Sequence, residues 1–341
     1  MTNTLKIPMN EVKSVAYKNK NGETKDVKVL KLNDKIIWSK TTNYRLENLK
    51  VSNEIETTEV LNDFAFNGGD RIVVVGSNRS IYNSWDFGNE WFLQSSKVTN
   101  EDLNVITYAT YNNLNGSFIT GGKNILMNTE SPSSHIWNVV NNCYSFGNIS
   151  FIGRYNPTDK CLISSDLKLG NMPITGGKNT LSISDQNAVN KIVSMFNSYI
   201  LLDDGWICKM SNINSKISDT LKIINFNDAK SFIYLFNNPY SIAVLCKDNI
   251  VRVTNDEFAT YKEYKIESDE EIKQITTTNT GIMVGLCEHG VYAIDGFKIQ
   301  NKLDFPDSEL GYSKMKFYGK NLVVTREDMK KFYRAVIVKD N

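Results

Sequence analysis

The sequence predicts an all-β protein: a small N-terminal β unit followed by a β-propeller of about seven blades. Three observations carry this. An apolar strand, a tight polar turn and a second strand recur seven times, with turns near positions 77, 122, 165, 204, 248, 289 and 327. Their spacing of about 40 residues is the length of one four-stranded blade. No window longer than about two turns carries apolar residues at helical spacing. The third observation is Asn19-Lys20-Asn21-Gly22 between two alternating segments, a hairpin signal ending in Asn-Gly.

The elements follow in order. Residues 1–42 read as a separate β unit. Val12–Lys18 and Asp26–Leu32 alternate apolar and polar residues, and Ile36-Ile37-Trp38 follows a second tight turn at Asn33-Asp34. Three short strands would make a small meander, marginal by itself. Residues 43–58 are polar and read as a linker and entry strand leading into the main domain, 59–341. There the strand-turn pairs are Ile72–Val75 with Ser77-Asn78, Ser117–Thr120 with Gly122-Lys123, and Cys161–Ile163 with Ser165-Asp166. Tyr199–Leu202 with Asp204-Gly205, Ile242–Cys246 with Lys247–Asn249, Ile282–Cys287 with Glu288–Gly290, and Leu322–Thr325 with Arg326–Asp328 complete the set. Closing such units into a ring leaves no blade face uncovered. The C-terminal Arg334–Val338 is expected to latch the ring by completing the blade begun near residue 59. Gly-Gly-Lys-Asn at 121–124 and again at 176–179 is expected to mark equivalent turns.

Composition bounds the function. The 341 residues carry 39 basic and 38 acidic side chains, a formal charge of +1. Nothing in that balance recommends nucleic acid or an anionic membrane as a partner. No stretch approaches the ~20 apolar residues of a membrane span. Five scattered cysteines, Cys143, Cys161, Cys208, Cys246 and Cys287, form no CxxC pair. An odd count in a long chain reads as buried, reduced thiols. The first residues hold no apolar core of signal-peptide type. Cytoplasmic synthesis without a signal peptide, and release by lysis, is the expectation.

The sharpest motif is Ser84-Trp85-Asp86-Phe87-Gly88-Asn89-Glu90-Trp91. Ser84 and Asp86 have side chains that accept backbone bonds within a turn. Gly88 allows a positive φ, and Trp91 can pack beneath the turn. These four residues are therefore read as scaffold. The stretch fits Ser-x-Asp-x-Gly-x-x-Trp and resembles the Asp-box (BNR) repeats of sialidase-like propellers, clearly in one blade and by spacing in the others. Ser164-Ser165-Asp166 lacks the Gly, and Asn128–Trp137 keeps mainly the aromatic end. That resemblance implies an alternative function, a glycan-cleaving hydrolase with three arginines, a Tyr–Glu pair and an acidic Asp. This chain has seven arginines, Arg45, Arg71, Arg79, Arg154, Arg252, Arg326 and Arg334. None occupies the family's early motif, since Ile7-Pro8 follows Lys6. No nucleophile can be placed, and no catalytic residue is assigned.

His135 and His289 are the only histidines. Cys287-Glu288-His289 falls on a hairpin turn and lacks further ligands nearby in sequence, so no metal site is assigned. No phosphate-cradling loop is present, and no cofactor is expected. Tyr108–Asn113 and Asn141–Tyr144 combine flat rings with adaptable amides, which suits sugar or protein surfaces.

A second resemblance lies at the N-terminus. Val27–Ser39, with Leu32-Asn33-Asp34-Lys35-Ile36-Ile37-Trp38 at its centre, resembles a segment of tail proteins from phages of Gram-positive bacteria, in which Gly is usual where Asp34 stands. The likeness implies a tail or baseplate-associated protein of a clostridial-type phage or a phage-tail-like contractile bacteriocin. Leu32, Asn33, Ile36, Ile37 and Trp38 would belong to an anchor that joins residues 1–42 to other tail or baseplate proteins. The expected role is structural and adhesive, without enzymatic activity. The propeller would face a bacterial cell-surface glycan or protein.

Overall fold

The computed structural model describes residues 15–18, 24–27, 29–32, 35–39, 44–94, 101–111, 115–131, 133–155, 160–166, 168–174, 179–185, 191–217, 220–235, 241–277, 282–304, 310–318 and 321–339. The chain divides into two units, 1–44 with 339–341, and 45–338.

The first unit holds two hairpins. β1 (Val15–Lys18) pairs β2 (Thr24–Val27), and β3 (Val29–Leu32) pairs β4 (Lys35–Ser39), as two separate two-stranded sheets. This corrects the expected three-stranded meander. The alternating run Asp26–Leu32 is two strands, belonging to different sheets, with residue 28 between them.

The second unit is a seven-bladed propeller. β5 (Tyr44–Val51) precedes the first blade, which comprises β6 (Leu61–Phe66), β7 (Ile72–Gly76), β8 (Ile81–Ser84) and β9 (Phe92–Leu93). Blade 2 is β10 (Leu103–Tyr111), β11 (Asn115–Gly122), β12 (Ile125–Thr129) and β13 (Trp137–Val139). Blade 3 is β14 (Ile149–Tyr155), β15 (Lys160–Ser165), β16 (Leu169–Pro173) and β17 (Ser182–Asp185). Blade 4 is β18 (Ile192–Phe196), β19 (Tyr199–Leu202), β20 (Trp206–Lys209) and β21 (Leu221–Asn225). Blade 5 is β22 (Ala229–Leu235), β23 (Ser241–Cys246), β24 (Ile250–Thr254) and β25 (Lys262–Lys265). Blade 6 is β26 (Gln274–Thr277), β27 (Met283–Leu286), β28 (Gly290–Asp295) and β29 (Lys298–Asp304). Blade 7 is β30 (Tyr312–Tyr318), β31 (Asn321–Arg326) and β32 (Phe332–Lys339), with β5 as its fourth strand beside β32.

All seven turns read from the sequence are the connections between the second and third strands of their blades. They stand out because their flanking strands are buried on both faces. Ile72–Gly76, Ile125–Thr129 and Ser241–Cys246 are buried at every position. Such strands read as continuous apolar runs rather than alternating ones. The fourth strands lie on the rim and are mostly exposed or half-buried, as in Lys262–Lys265, so their sequences look like loops.

Ring closure differs from the sequence expectation. The C-terminal strand does not complete the blade begun near residue 59; it is the third strand of blade 7, and β5 from the 43–58 segment supplies the rim strand. β5 is polar because a rim strand needs few apolar side chains. Apolar contacts complete the join: Phe64 of β6 meets Phe332 of β32 edge-on with ring centres 5.2 Å apart. Trp91 lies 5.5 Å from the same Phe332 ring. Of the two Gly-Gly-Lys-Asn runs, the first is described in full. Residues 121–124 turn between second and third strands, whereas Asn179 lies between the third and fourth strands of blade 3, and residues 176–178 lie outside those described.

Among the described residues the inner strands of neighbouring blades do not pair with one another, and side chains join them. In six of seven inner pairs the register slips at the start of the strand, a bulge that re-aims the following residue. Asp63 Oδ2 accepts from Ile106 N (2.9 Å), Ser231 Oγ from Ile275 N (3.4 Å), and Gln274 Oε1 from Met315 N (3.1 Å). One residue earlier, Asn62, Asn104, Lys230 and Lys273 donate to the carbonyls of Leu103, Ile149, Ile272 and Tyr312. Each bond reaches from one blade to the next. The positions are equivalent although the residue types differ. At the closing seam Asp63 also meets Lys314 Nζ (3.2 Å) and Lys316 Nζ (3.1 Å) of blade 7. Burial pushes the Asp63 carboxyl up, but Lys316, Lys314 and the Ile106 N–H together hold it below its ordinary value.

Candidate functional site

The scaffold residues read from the sequence do form one turn. Ser84, at the end of β8, donates to Asp86 Oδ1 (2.8 Å) and accepts from Gly88 N (2.6 Å). Asp86 Oδ1 accepts from Glu90 N (3.1 Å). Phe87 and Gly88 both have positive φ, 61° and 79°. A Cβ on Gly88 would meet Ser52 Cβ at 2.3 Å. Trp91 Nε1 donates to Asn53 O (3.0 Å), tying the turn to the segment after β5.

Blade 5 repeats this turn without its sequence signature. Thr254 Oγ1 lies 2.8 Å from Asp256 Oδ1 and accepts from Phe258 N (2.9 Å), and Asp256 Oδ1 accepts from Thr260 N (3.0 Å). Glu257 and Phe258 again have positive φ, 57° and 67°. Phe stands where Gly is usual, so the pattern passes unseen. The surviving signal is Thr-x-Asp, present in the sequence but too short to weigh alone.

The 84–91 turn places Trp85 at a groove of about 480 Å³ between blades 1 and 2, lined by Asn83, Trp85, Phe92, Leu93, Gln94 and His135. Phe92 and Leu93 form β9 and are exposed. Beneath Trp85 lies Arg71, only 2% exposed, its guanidinium carbon 3.9 Å from the indole centre and 4.7 Å from the Phe118 ring. Burial brings its pKa down to about 10, which leaves it cationic at neutral pH and suited to a cation–π contact. Arg71 Nη2 donates to Asn83 Oδ1 (3.1 Å) and to Ser134 O (2.9 Å). Asn83 Nδ2 donates to Gln94 Oε1 (3.0 Å), and Gln94 Nε2 donates to the His135 carbonyl. The His135 ring packs 4.7 Å from Trp85. The groove is thus fixed from below and across the blade boundary. It offers flat apolar surface, amides and one imidazole.

Sequence reasoning names Trp85 only as a variable position of its motif, His135 as one of two histidines and Arg71 as one of seven arginines. The convergence comes from adjacent blades, with His135 far along the chain from Trp85 and Arg71, and has no local signature.

The other candidates fall elsewhere. Asn33 lies outside the described residues. Leu32, Ile36 and Trp38 belong to the β3–β4 hairpin, where Leu32 pairs Lys35, Lys31 pairs Ile36 and Leu30 pairs Trp38, and Ile37 sits at the register shift. All five cysteines are buried and unpaired. Burial raises the Cys161, Cys246 and Cys287 thiols to about 12. His289 lies in its hairpin turn, with Nδ1 3.0 Å from Glu270 Oε2. Among the described residues, no group of three or more His, Cys, Asp or Glu could hold a metal ion. Arg252 pairs Asp228 and Glu263 in blade 5, Arg326 pairs Glu54 and Asp328, and Arg334 pairs Asp70. No described helix is long and apolar enough to cross a membrane.

Solved structures agree on the fold. The chain is similar to a virginiamycin B lyase from Staphylococcus aureus (TM-score 0.62, 9% identity, 86% of this chain and 100% of that one). It is also similar to the WD40 β-propeller domain of Doa1 (0.57, 12%, 86% and 97%). Raptor from Chaetomium thermophilum aligns with a TM-score of 0.62 at 10% identity, over 87% of this chain and 30% of that one. At these identities the likeness is one of fold alone, shared by a lyase and by a WD40 domain. No protein-family model and no curated protein matches the sequence.

Proposed function

We propose that this protein is a non-enzymatic, adhesive component of a phage tail or phage-tail-like bacteriocin. Its Asp-box type propeller presents the groove between blades 1 and 2 to a bacterial cell-surface glycan or protein. The N-terminal unit, residues 1–42, attaches it to other tail or baseplate proteins. The observation that supports binding is the groove itself: aromatic and amide groups on a cross-braced base, the composition of a recognition surface rather than of a proton-transfer site. The tail reading rests on the likeness of Val27–Ser39 to phage-tail segments. Synthesis in the cytoplasm and release with the particle belong to the same reading.

The test has two arms. Fluorescently labelled protein should adhere to cells of the host species, and Phe92→Ala with His135→Ala should reduce adherence about tenfold or more while leaving the melting temperature unchanged. Chromatography of cell walls after incubation should show no released sugar; release would replace this reading with the hydrolase alternative. Particles assembled with protein lacking residues 1–42 should not carry it. Full occupancy by the truncated chain would remove the anchor.

A further inference from the structure

A second groove, of about 1140 Å³, lies at the boundary of blades 2 and 3 and is lined by Asn141, Asn142, Tyr144, Ser145, Thr180, Leu181, Ser182 and Ile183. None of these side chains carries a charge at neutral pH. Tyr144 is 68% exposed, the most open large hydrophobic side chain of the described core and surface. It is held out by its neighbours. Cys143 and Phe146 on either side are fully buried, and Phe146 N donates to Cys143 O (3.0 Å) across the turn. Asn142 sits in the left-handed region at φ 65°. The floor is stitched by backbone: Asn141 N donates to Asn179 O (2.8 Å), and Leu181 N donates to Asn141 O (2.9 Å). Gly147 N donates to Asn124 Oδ1 (3.0 Å), fixing the far end of the loop. Lys168, beside the loop, donates to the Ser145 carbonyl.

We infer that this groove binds a neutral oligosaccharide, with a pyranose ring on the open Tyr144 face and its hydroxyls bonded to Asn142, Ser145, Thr180 and Ser182. The inference deepens the adhesive reading and rests on it. Flat aromatic surface beside amides and hydroxyls matches the alternating apolar face and polar edge of a sugar ring. Ile183, only partly buried, supplies apolar surface for C–H groups or an acetamido methyl. No lining side chain is charged, and the nearby Lys168 ammonium is engaged by the Ser145 carbonyl, so the groove disfavours acidic sugars and anionic polymers. A backbone-tied wall costs little ordering on binding. Volume fits several sugar units rather than one.

Calorimetric titration of the full chain with chitotetraose and maltotetraose, and with sialyllactose as the acidic comparator, tests this. At least one neutral probe should bind, with affinity unchanged by added salt. Tyr144→Ala should weaken it about tenfold, and Tyr144→Phe should bind as the parent does, with melting temperatures of both variants unchanged. Failure of both neutral probes, preference for sialyllactose, or an unaltered affinity in Tyr144→Ala would overturn the assignment. Cell adherence measured in parallel separates the two ideas. Adherence without neutral-sugar binding sinks the groove and points to a protein receptor, leaving the adhesive reading intact. Sugar binding lost in Tyr144→Ala without any adherence to cells sinks the adhesive reading instead.

Discussion

At the residue scale, Asp63 decides how the ring is held shut. Its side chain is 6% exposed and meets two lysines from the last blade as well as a backbone N–H of blade 2. A buried carboxylate so surrounded is expensive to leave without its charge, because the lysines and the N–H then face an uncompensated gap. Asp63→Ala should cost about 3–5 kcal/mol, read from urea unfolding. The pH dependence has a definite sign. The folded carboxyl titrates below its ordinary value of 3.8, so the unfolded chain takes up the proton first as pH falls. Asp63 therefore contributes its full stability above about pH 5, and that contribution fades as pH drops through 4 toward the depressed folded value. Asp63→Asn should flatten the loss of stability across this acidic window. A slope identical to the parent's would show that other carboxylates govern acid unfolding.

At the scale of the single element, turns and strands divide by how their chemistry is written. The seven inner hairpins were legible because doubly buried strands must be apolar and the turns between them polar. The 84–91 turn was legible because Gly88 is required there: φ is 79°, and a Cβ would collide with Ser52 at 2.3 Å. Gly88→Ala should therefore destabilise the protein by about 1–3 kcal/mol, measured by thermal or urea unfolding, and Asp86→Ala by about 1 kcal/mol for its lost turn bonds. Phe258 in the matching blade 5 turn holds a similar φ without Gly. Its side chain is buried against Phe226, with ring centres 6.0 Å apart, which repays the strained backbone. Phe258→Gly should thus destabilise, despite restoring the sequence signature. A stabilised Phe258→Gly variant would show that the backbone term dominates there. The side-chain links between inner strands were invisible for the opposite reason: Asn, Lys, Asp, Ser and Gln all serve at equivalent positions, because any donor or acceptor of suitable reach can satisfy a neighbouring backbone group.

At the scale of the whole molecule, the order of strands in the last blade sets what can be removed. Residues 43–58 were legible as a linker and entry strand, but not as the rim strand of the last blade, since a rim strand is buried on one side at most and its polarity does not name its partner. The groove between blades 1 and 2 was equally hidden, because Arg71 and Trp85 meet His135 only when these two blades pack together. β5 closes blade 7 from the N-terminal side, so the first and last parts of the propeller chain share one sheet. The segment following it adds Ser52 N to Phe332 O (2.9 Å) and Ile55 N to Lys330 O (2.9 Å). Closure by strands from both ends gives a ring whose seam breaks only when several bonds are lost together. A chain beginning at residue 44 should consequently melt as the parent propeller does. A chain beginning at residue 52 lacks the rim strand and exposes the edge of β32, an unpaired edge prone to association. Its melting temperature should fall by several degrees or more, and it should aggregate at concentrations where the longer chain stays monomeric. Equal melting temperatures for the two truncations would mean that the apolar join of Phe64, Trp91 and Phe332 closes the ring without its strand. Loss of folding in the chain beginning at 44 would instead show that residues 1–43 are needed by the propeller itself, and the anchor test would then require substitutions within β3 and β4 rather than deletion.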